Sequence, residues 1–249
     1  MAATSLTASE LYDAIGAGLQ ENRLEAASAM ARELAARFPD FAKGRLACAQ
    51  VAVRNARLDE AAAHAMRAVA LEPGDPLISA TAAKILARAG LFEDAARYAK
   101  AVLESRATDA RLFDIAGNAL TLGGVHDGAR DCFARAVELA PENAAFTFNL
   151  AASERGLGNL DAAERSFERV IELDPDHCEA HYGLSMLGRG KGSRAPAVRA
   201  VLARGVADWR GEVQLRFALG QELERAGAWG EAFEAFSSGA ALKRKLGKK

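Results

Sequence analysis

Apolar and polar positions alternate at helical spacing, and the whole pattern returns about every 34 residues. Alanine sets the register, at Ala27, Ala61, Ala95, Ala129, Ala163, Ala197 and Ala232, with intervals of 34 residues five times and 35 once. Bulkier residues keep step with it. Phe133 with Ala136, Phe167 near Val170, and Phe236 with Gly239 follow their alanine by four and seven residues, while Ala31, Ala65 and Ala99 occupy the four-residue column earlier in the chain. Ahead of the alanine stand Ala116–Gly117–Leu120, Leu150–Ala151 and Leu219–Gly220–Leu223, the apolar face of the first helix of each pair. Each period is therefore predicted to be a pair of antiparallel helices. Small residues let such helices approach to roughly 8–10 Å, and large ones fill the grooves between them. No pair can bury its own stripe alone, so the pairs must stack.

Residues that break or start helices fall in the same register. Asn22, Ala56, Gly90, Gly124, Gly158, Gly192 and Gly227 each lie five before their alanine. There the chain must reverse, and Gly or Asn tolerates the left-handed backbone of such a turn. Pro39, Pro73, Pro141 and Pro175 lie twelve after the alanine, where a missing N–H ends the second helix. Asp75, Asp109 and Asn143 are spaced as caps of the next helix, and Pro76 follows Asp75 at the favoured first helical position. Thr7 with Glu10 has the spacing of a capping box.

A 34-residue helical pair with these columns resembles the tetratricopeptide repeat. The resemblance implies an all-α fold, a right-handed superhelical solenoid of about seven antiparallel helix pairs, whose usual product is a binding surface. Residues 1–177 hold five regular units, approximately 8–41, 42–75, 76–109, 110–143 and 144–177. Residues 178–249 hold two divergent units, 178–212 and 213–246, with a basic C-terminal tail. The longer interval from Ala197 to Ala232 puts the irregularity in these last two.

Composition narrows the function. The chain has 249 residues, half of them hydrophobic, and a formal net charge of −1, which gives no electrostatic reason to expect nucleic acid or an anionic membrane. Met1 to Gln20 shows no basic segment followed by an apolar run, so no secretory signal is expected, and no stretch is apolar enough to span a bilayer. Cys48, Cys132 and Cys178 lack metal-type spacing and read as reduced thiols of a cytoplasmic protein. His177 and His181 are four apart beside Cys178, a spacing that suits a metal but equally a helix start. The helix start is the preferred reading, and neither metal nor cofactor is expected. His126 and His64 have no evident partner.

In a tetratricopeptide stack the first helix of each unit lines the concave groove, so groove residues can be read by register. The peptide-binding candidates are Tyr12, Gln50, Arg54, Lys84, Arg88, Asn118, Phe148, Asn149, Arg155, Tyr182, Arg189, Phe217 and Gln221, with Leu46, Asp114 and Arg225 on the same face. Their charges lean basic, opposed by Asp13, Asp114, Glu179 and Glu224, and aromatics cluster toward the C-terminal end. Such a face suits an extended or helical peptide carrying acidic groups. Asn118 and Asn149 resemble the asparagines of tetratricopeptide carboxylate clamps. Where a clamp has basic residues this chain has Asp114, Glu179 and Gly183, so a chaperone-tail clamp is rejected and recognition of peptide backbone is retained.

Two motifs reduce to structure. Gly188-Arg189-Gly190-Lys191-Gly192-Ser193-Arg194 lacks the order of a phosphate-binding loop and a preceding strand, and it falls at a turn. The tail Lys243-Arg244-Lys245-Leu246-Gly247-Lys248-Lys249 is a favourable charge at a helix C-terminus. Glu60, Asp161 and Glu231 fall at turns and helix starts, and no nucleophile–base set is evident.

A narrower resemblance covers Glu179 to Lys245. Ala180-His181-Tyr182-Gly183-Leu184, Arg216-Phe217-Ala218-Leu219-Gly220, Glu231-Ala232-Phe233 and Gly239-Ala240-Ala241-Leu242-Lys243-Arg244 resemble a segment of bacterial tetratricopeptide sulfotransferases, although that family commonly has Asn at the place of Ala240. There an N-terminal repeat array leads into a catalytic α/β domain. The family's glycine-rich Pro-Arg-Ser-Gly-Thr-type loop for the sulfate donor is absent from this sequence, as is any alternating strand–helix pattern. The chain is therefore expected to be a non-catalytic protein- or peptide-binding scaffold, the interaction region of such a protein. The alternative is a sulfotransferase fragment with a structural or dimerising role, which leaves room for a homodimer.

Overall fold

The computed structural model describes residues 6–189 and 193–247, which form fourteen helices with no strand among them. The chain divides into two compact bodies, residues 1–139 and 140–249.

The first body contains α1 (Ala8–Gln20), α2 (Leu24–Arg37), α3 (Ala42–Arg54), α4 (Leu58–Leu71), α5 (Pro76–Arg88), α6 (Phe92–Leu103), α7 (Ala110–Leu122) and α8 (His126–Leu139). Consecutive helices pair as hairpins, the second helix of each pair packs on the first helix of the next, and α1, α3, α5 and α7 lie side by side. Local chemistry sets the boundaries. Thr7 and Glu10 form the reciprocal capping box, and Asp75 accepts from the N–H groups of Leu77 and Ile78 at 2.7 and 3.0 Å. Asp109 caps α7 through the N–H of Arg111. Ala56 turns the chain at φ 57°, a left-handed conformation that costs a residue with a Cβ about 1–2 kcal/mol. The register alanines Ala27, Ala61, Ala95 and Ala129 are wholly buried. Opposite them a Cβ added at Gly117 would stand 2.7 Å from the Phe133 ring, so only glycine lets that ring seat between α7 and α8.

The second body contains α9 (Ala144–Gly156), α10 (Leu160–Leu173), α11 (Cys178–Leu187), α12 (Ala195–Arg204), α13 (Trp209–Arg225) and α14 (Trp229–Leu246). Asn143 caps α9 through the N–H groups of Ala145 and Phe146. Hairpins α9–α10 and α13–α14 are regular, with Phe236 seated on Gly220 as Phe133 is on Gly117. The stretch between them is not. α12 lies chiefly against α13 rather than against α11.

Here the sequence register needs correction. Ala197, expected in the core column, is exposed, and Val198 is the buried residue, packed with Val201, Leu215 and Ala218. The 35-residue interval thus runs from Ala163 to Val198, and the extra residue belongs to the turn before α12. The cause lies in the connection. α11 stops after Leu187, where Gly188 takes φ 65°, and α12 begins only at Ala195. Gly190, Lys191 and Gly192, the last of them the expected turn residue, lie outside the described residues, as do Lys248 and Lys249.

Glu222 of α13 holds this connection. Its carboxylate is buried, accepts from the Ser185 hydroxyl at 3.0 Å and from the Arg194 N–H at 2.9 Å, and pairs with Arg225. Arg225 in turn donates to the Ser185 carbonyl at 2.7 Å. One acid therefore joins the end of α11, the start of α12 and the last turn of α13. Two arginines of the glycine-rich run are also engaged: Arg189 pairs with Asp161 and Glu164, and Arg194 with Glu164 and Glu168.

Candidate functional site

Four of the expected groove residues converge in the first body. Gln50 and Arg54 lie four apart on α3, Lys84 and Arg88 four apart on α5, so each pair shares a helix face. Gln50 to Lys84 and Arg54 to Arg88 are both 34 residues, and because α3 and α5 run side by side in register, the four side chains form a two-by-two array. They line a cleft of about 500 Å³ completed by Leu19 and Gln20 of α1, Val53 of α3, Thr81 and Ile85 of α5 and Ile115 of α7.

The chemistry of this cleft is one-sided. Three cations line it, no carboxylate does, and Leu19, Val53, Ile85 and Ile115 supply an apolar floor. Arg54 donates to the Asn22 side-chain oxygen at 2.9 Å, a neutral partner that leaves its charge uncompensated. Among the described residues Lys84 and Arg88 have no ion-pair partner, whereas most other cations of the chain do. A second cleft of about 320 Å³ carries Tyr12 and shares Gln20 and Gln50 with the first, so the concavity continues between α1 and α3. The Tyr12 ring meets Phe41 edge-on at 6.1 Å.

The floor residues and Gln20 were not among the sequence candidates. Gln20 was within reach, since Gln20, Arg54 and Arg88 form one column at intervals of 34. Leu19, Val53 and Ile85 had only apolar character to mark them, which core residues share. Leu46, placed on the groove face by register, is buried in the core.

Other candidates have partners of their own. Asn118 donates to the Asp114 carbonyl at 2.8 Å and its carboxylate at 3.1 Å, within its own helix. In the second body the candidates do not form one cleft. Phe148 stacks on His177 with centroids 4.9 Å apart and tilts against Phe167 at 5.8 Å, and Asn149 beside it is half-buried. Arg155 lies over the Phe167 ring at 5.8 Å. Tyr182 packs with the cluster of Val198, Val201 and Leu215. Phe217 tilts against Phe236 at 6.1 Å. Gln221 approaches the Met186 sulfur at 2.9 Å, and Arg189 is paired as described.

The histidine pair is used by the fold. His177 Nδ1 accepts the N–H of Ala180 as the cap of α11, and His181 Nε2 donates to the Pro175 carbonyl at 3.0 Å. Burial is the main reason the His181 imidazole titrates below its usual range. No group of three or more His, Cys, Asp or Glu suited to a metal occurs among the described residues. The thiols of Cys48 and Cys132 are buried, and burial pushes that of Cys132 up to about 12. No helix of the described residues is long and apolar enough to cross a membrane.

A tetratricopeptide repeat family model matches residues 113–177 and 148–193. Among solved structures, a tetratricopeptide repeat protein from Parabacteroides merdae is similar with a TM-score of 0.61 at 16% identity, covering 94% of this chain and 93% of that one. The fold is that of tetratricopeptide repeat proteins. A fragment of MamA from Desulfovibrio magneticus shares this tetratricopeptide fold with a TM-score of 0.52 at 18% identity, over 82% of this chain and 96% of its own. So does YrrB, described as a tetratricopeptide protein with an unusual peptide-binding site, with a TM-score of 0.53 at 18% identity over 82% and 96%. No curated protein matches the chain. The tetratricopeptide fold is typically a non-catalytic scaffold.

Proposed function

We propose that this chain is a non-catalytic scaffold that holds an acidic protein or peptide segment in the first-body cleft. The supporting observation is the array of Arg54, Lys84 and Arg88 over an apolar floor with no carboxylate in the lining. A carboxylate-rich segment with a Leu- or Phe-sized anchor complements both parts: its acids meet uncompensated cations, and its anchor leaves water for Leu19, Val53, Ile85 and Ile115. YrrB, of like fold, is named for a peptide-binding site, which makes a peptide ligand a reasonable occupant of this cleft.

Fluorescence anisotropy with labelled acidic peptides bearing one apolar anchor tests the reading. Arg88→Glu with Lys84→Glu is expected to weaken binding at least about tenfold, a change of about 1.4 kcal/mol. Added salt should weaken it as well. Equal binding of basic peptides, or unchanged affinity in the charge-reversed variant, would overturn it.

A second, narrower reading comes from the resemblance over Glu179–Lys245. On this reading the scaffold is the interaction region of a bacterial, cytoplasmic sulfotransferase-like protein that presents a bound segment for sulfation, or a fragment of one with a structural or dimerising role. The coding sequence beyond Lys249 tests it: a donor-binding α/β domain in frame supports the reading, and a stop codon removes it.

A further inference from the structure

Four exposed, large hydrophobic side chains lie together at one edge of the first body. Leu91, Phe92, Leu122 and Val125 are 40, 44, 59 and 42% exposed. Leu91 and Phe92 follow the turn that ends α5, and Leu122 and Val125 flank the equivalent turn after α7. The two turns touch, since a Cβ added at Gly123 would stand 3.5 Å from Phe92. Both lie mid-sequence, with helix pairs before and after them. Single exposed apolar side chains are ordinary, whereas contiguous patches mark interaction sites.

The repeat does not require these residues. In the column of Leu122 stand Gln20, Arg54, Arg88 and Gly156, and in that of Leu91 and Val125 stand Arg23, Arg57 and Asn159. Phe92 occupies a place where Leu24, Leu58 and Leu160 are half-buried, yet it is exposed. Helix pairs therefore form without an apolar residue at three of the four sites.

The patch begins where the basic cleft ends. Leu122 follows Arg88 by one period of 34, and it lies seven residues, two helical turns, beyond the floor residue Ile115 on the same face of α7. A chain held by Arg88 on α5 therefore meets Leu122 next, because neighbouring helices lie roughly 8–10 Å apart, about three residues of extended chain. Beyond the patch, Glu93 and Asp127 stand exposed in the first turns of α6 and α8, with no ion-pair partner among the described residues. Acids suit helix N-termini, and here they repel the acidic part of a ligand, which must stay on the cleft side. We propose that the acidic segment held in the cleft continues, on one flank of its acids, with two apolar residues that pack on Leu122 and Phe92, bordered by Leu91 and Val125. This rests on the cleft reading and specifies the partner further: acids over Arg54, Lys84 and Arg88, then an apolar pair about three residues on, with no acid beyond it.

Three labelled peptides with one acidic core and one anchor test it. Two carry Leu-Phe about three residues before or after the acids, and the third carries Ser-Ser at both places. In fluorescence anisotropy one Leu-Phe peptide is expected to bind at least about tenfold tighter than the serine peptide. Leu122→Ser with Phe92→Ser should abolish that gain while leaving the serine peptide's affinity unchanged, which also shows the fold and cleft intact. Leu122→Gln, which supplies the amide its column carries at Gln20, should reduce the gain by itself. Lys84→Glu with Arg88→Glu should weaken all three peptides. If that reversal weakens the serine peptide but neither Leu-Phe peptide gains, or if the gain survives both Leu122 variants, the edge proposal falls and the cleft reading stands. If charge reversal leaves all three peptides unchanged, both fall.

Discussion

At the level of single residues the repeat is a set of volume choices, and the register alanines are the most exacting. Ala129 is wholly buried between α7 and α8, with no room for added methylenes. Ala129→Leu should therefore overpack the hairpin and cost about 1–3 kcal/mol. Ala197 tests the corrected register, because it is exposed while Val198 is wholly buried. Ala197→Leu is expected to stay within about 0.5 kcal/mol of the parent, whereas Val198→Ala should cost on the order of 1–3 kcal/mol. Urea unfolding of the three variants decides the matter. Equal losses at Ala129 and Ala197 would restore the register read from alanine spacing alone. That spacing misled at one place because Ala197 and Val198 are both small and apolar, and only the unusual length of the preceding turn separates them.

Among elements, α11, α12 and α13 behave differently from the hairpins around them, since their union depends on one buried carboxylate. Glu222→Ala would strip acceptors from the Ser185 hydroxyl and the Arg194 N–H and leave Arg225 without its acid. A loss of about 2–4 kcal/mol is expected. Glu222→Gln keeps the shape and one acceptor, so it should recover part of that loss. Faster hydrogen exchange at the start of α12 should accompany the loss, and a uniform change across α13 alone would contradict the linking role. Nothing in the sequence announced this residue. Leu219, Gly220 and Leu223 disclosed the core face of α13 by helical spacing, but a glutamate beside them reads as solvent-facing until the turn from α11 folds over it. The regular hairpins were legible because cap, turn and core signals coincided in each period, as at Asp75, Gly90 and Ala95. The cleft was half legible. Arg54, Lys84 and Arg88 followed from the period, while the apolar floor beneath them depends on how close α1, α3, α5 and α7 approach, a distance that side-chain packing sets and no column records.

For the whole molecule, acid sensitivity follows from one imidazole in each body, half-buried at His64 and buried at His181. His64 on α4 titrates below its usual 6.5, chiefly through burial and then the charge of Arg45, with Arg57 adding to the effect; Glu60, 4.0 Å away, opposes this without overcoming it. His181 on α11 shifts the same way, again mainly by burial, with His177 and Arg204 adding to the effect while the Pro175 carbonyl and Asp176 oppose it. A lowered native value means that the unfolded chain binds more protons between the two values, so stability must rise with pH across that window. Stabilisation is complete above about pH 6.5 and is lost as the pH falls toward the native values. Thermal melting from about pH 7.5 down to 5.5 should show a declining midpoint, and His64→Gln with His181→Asn should flatten that decline even though each substitution lowers the midpoint itself. A midpoint that climbs on acidification, or an unaltered slope in the double variant, would mean that these imidazoles are charged in the native state. Their burial would then have to be offset by Glu60 and Asp176, which at His64 requires the carboxylate to close from 4.0 Å to a true hydrogen bond.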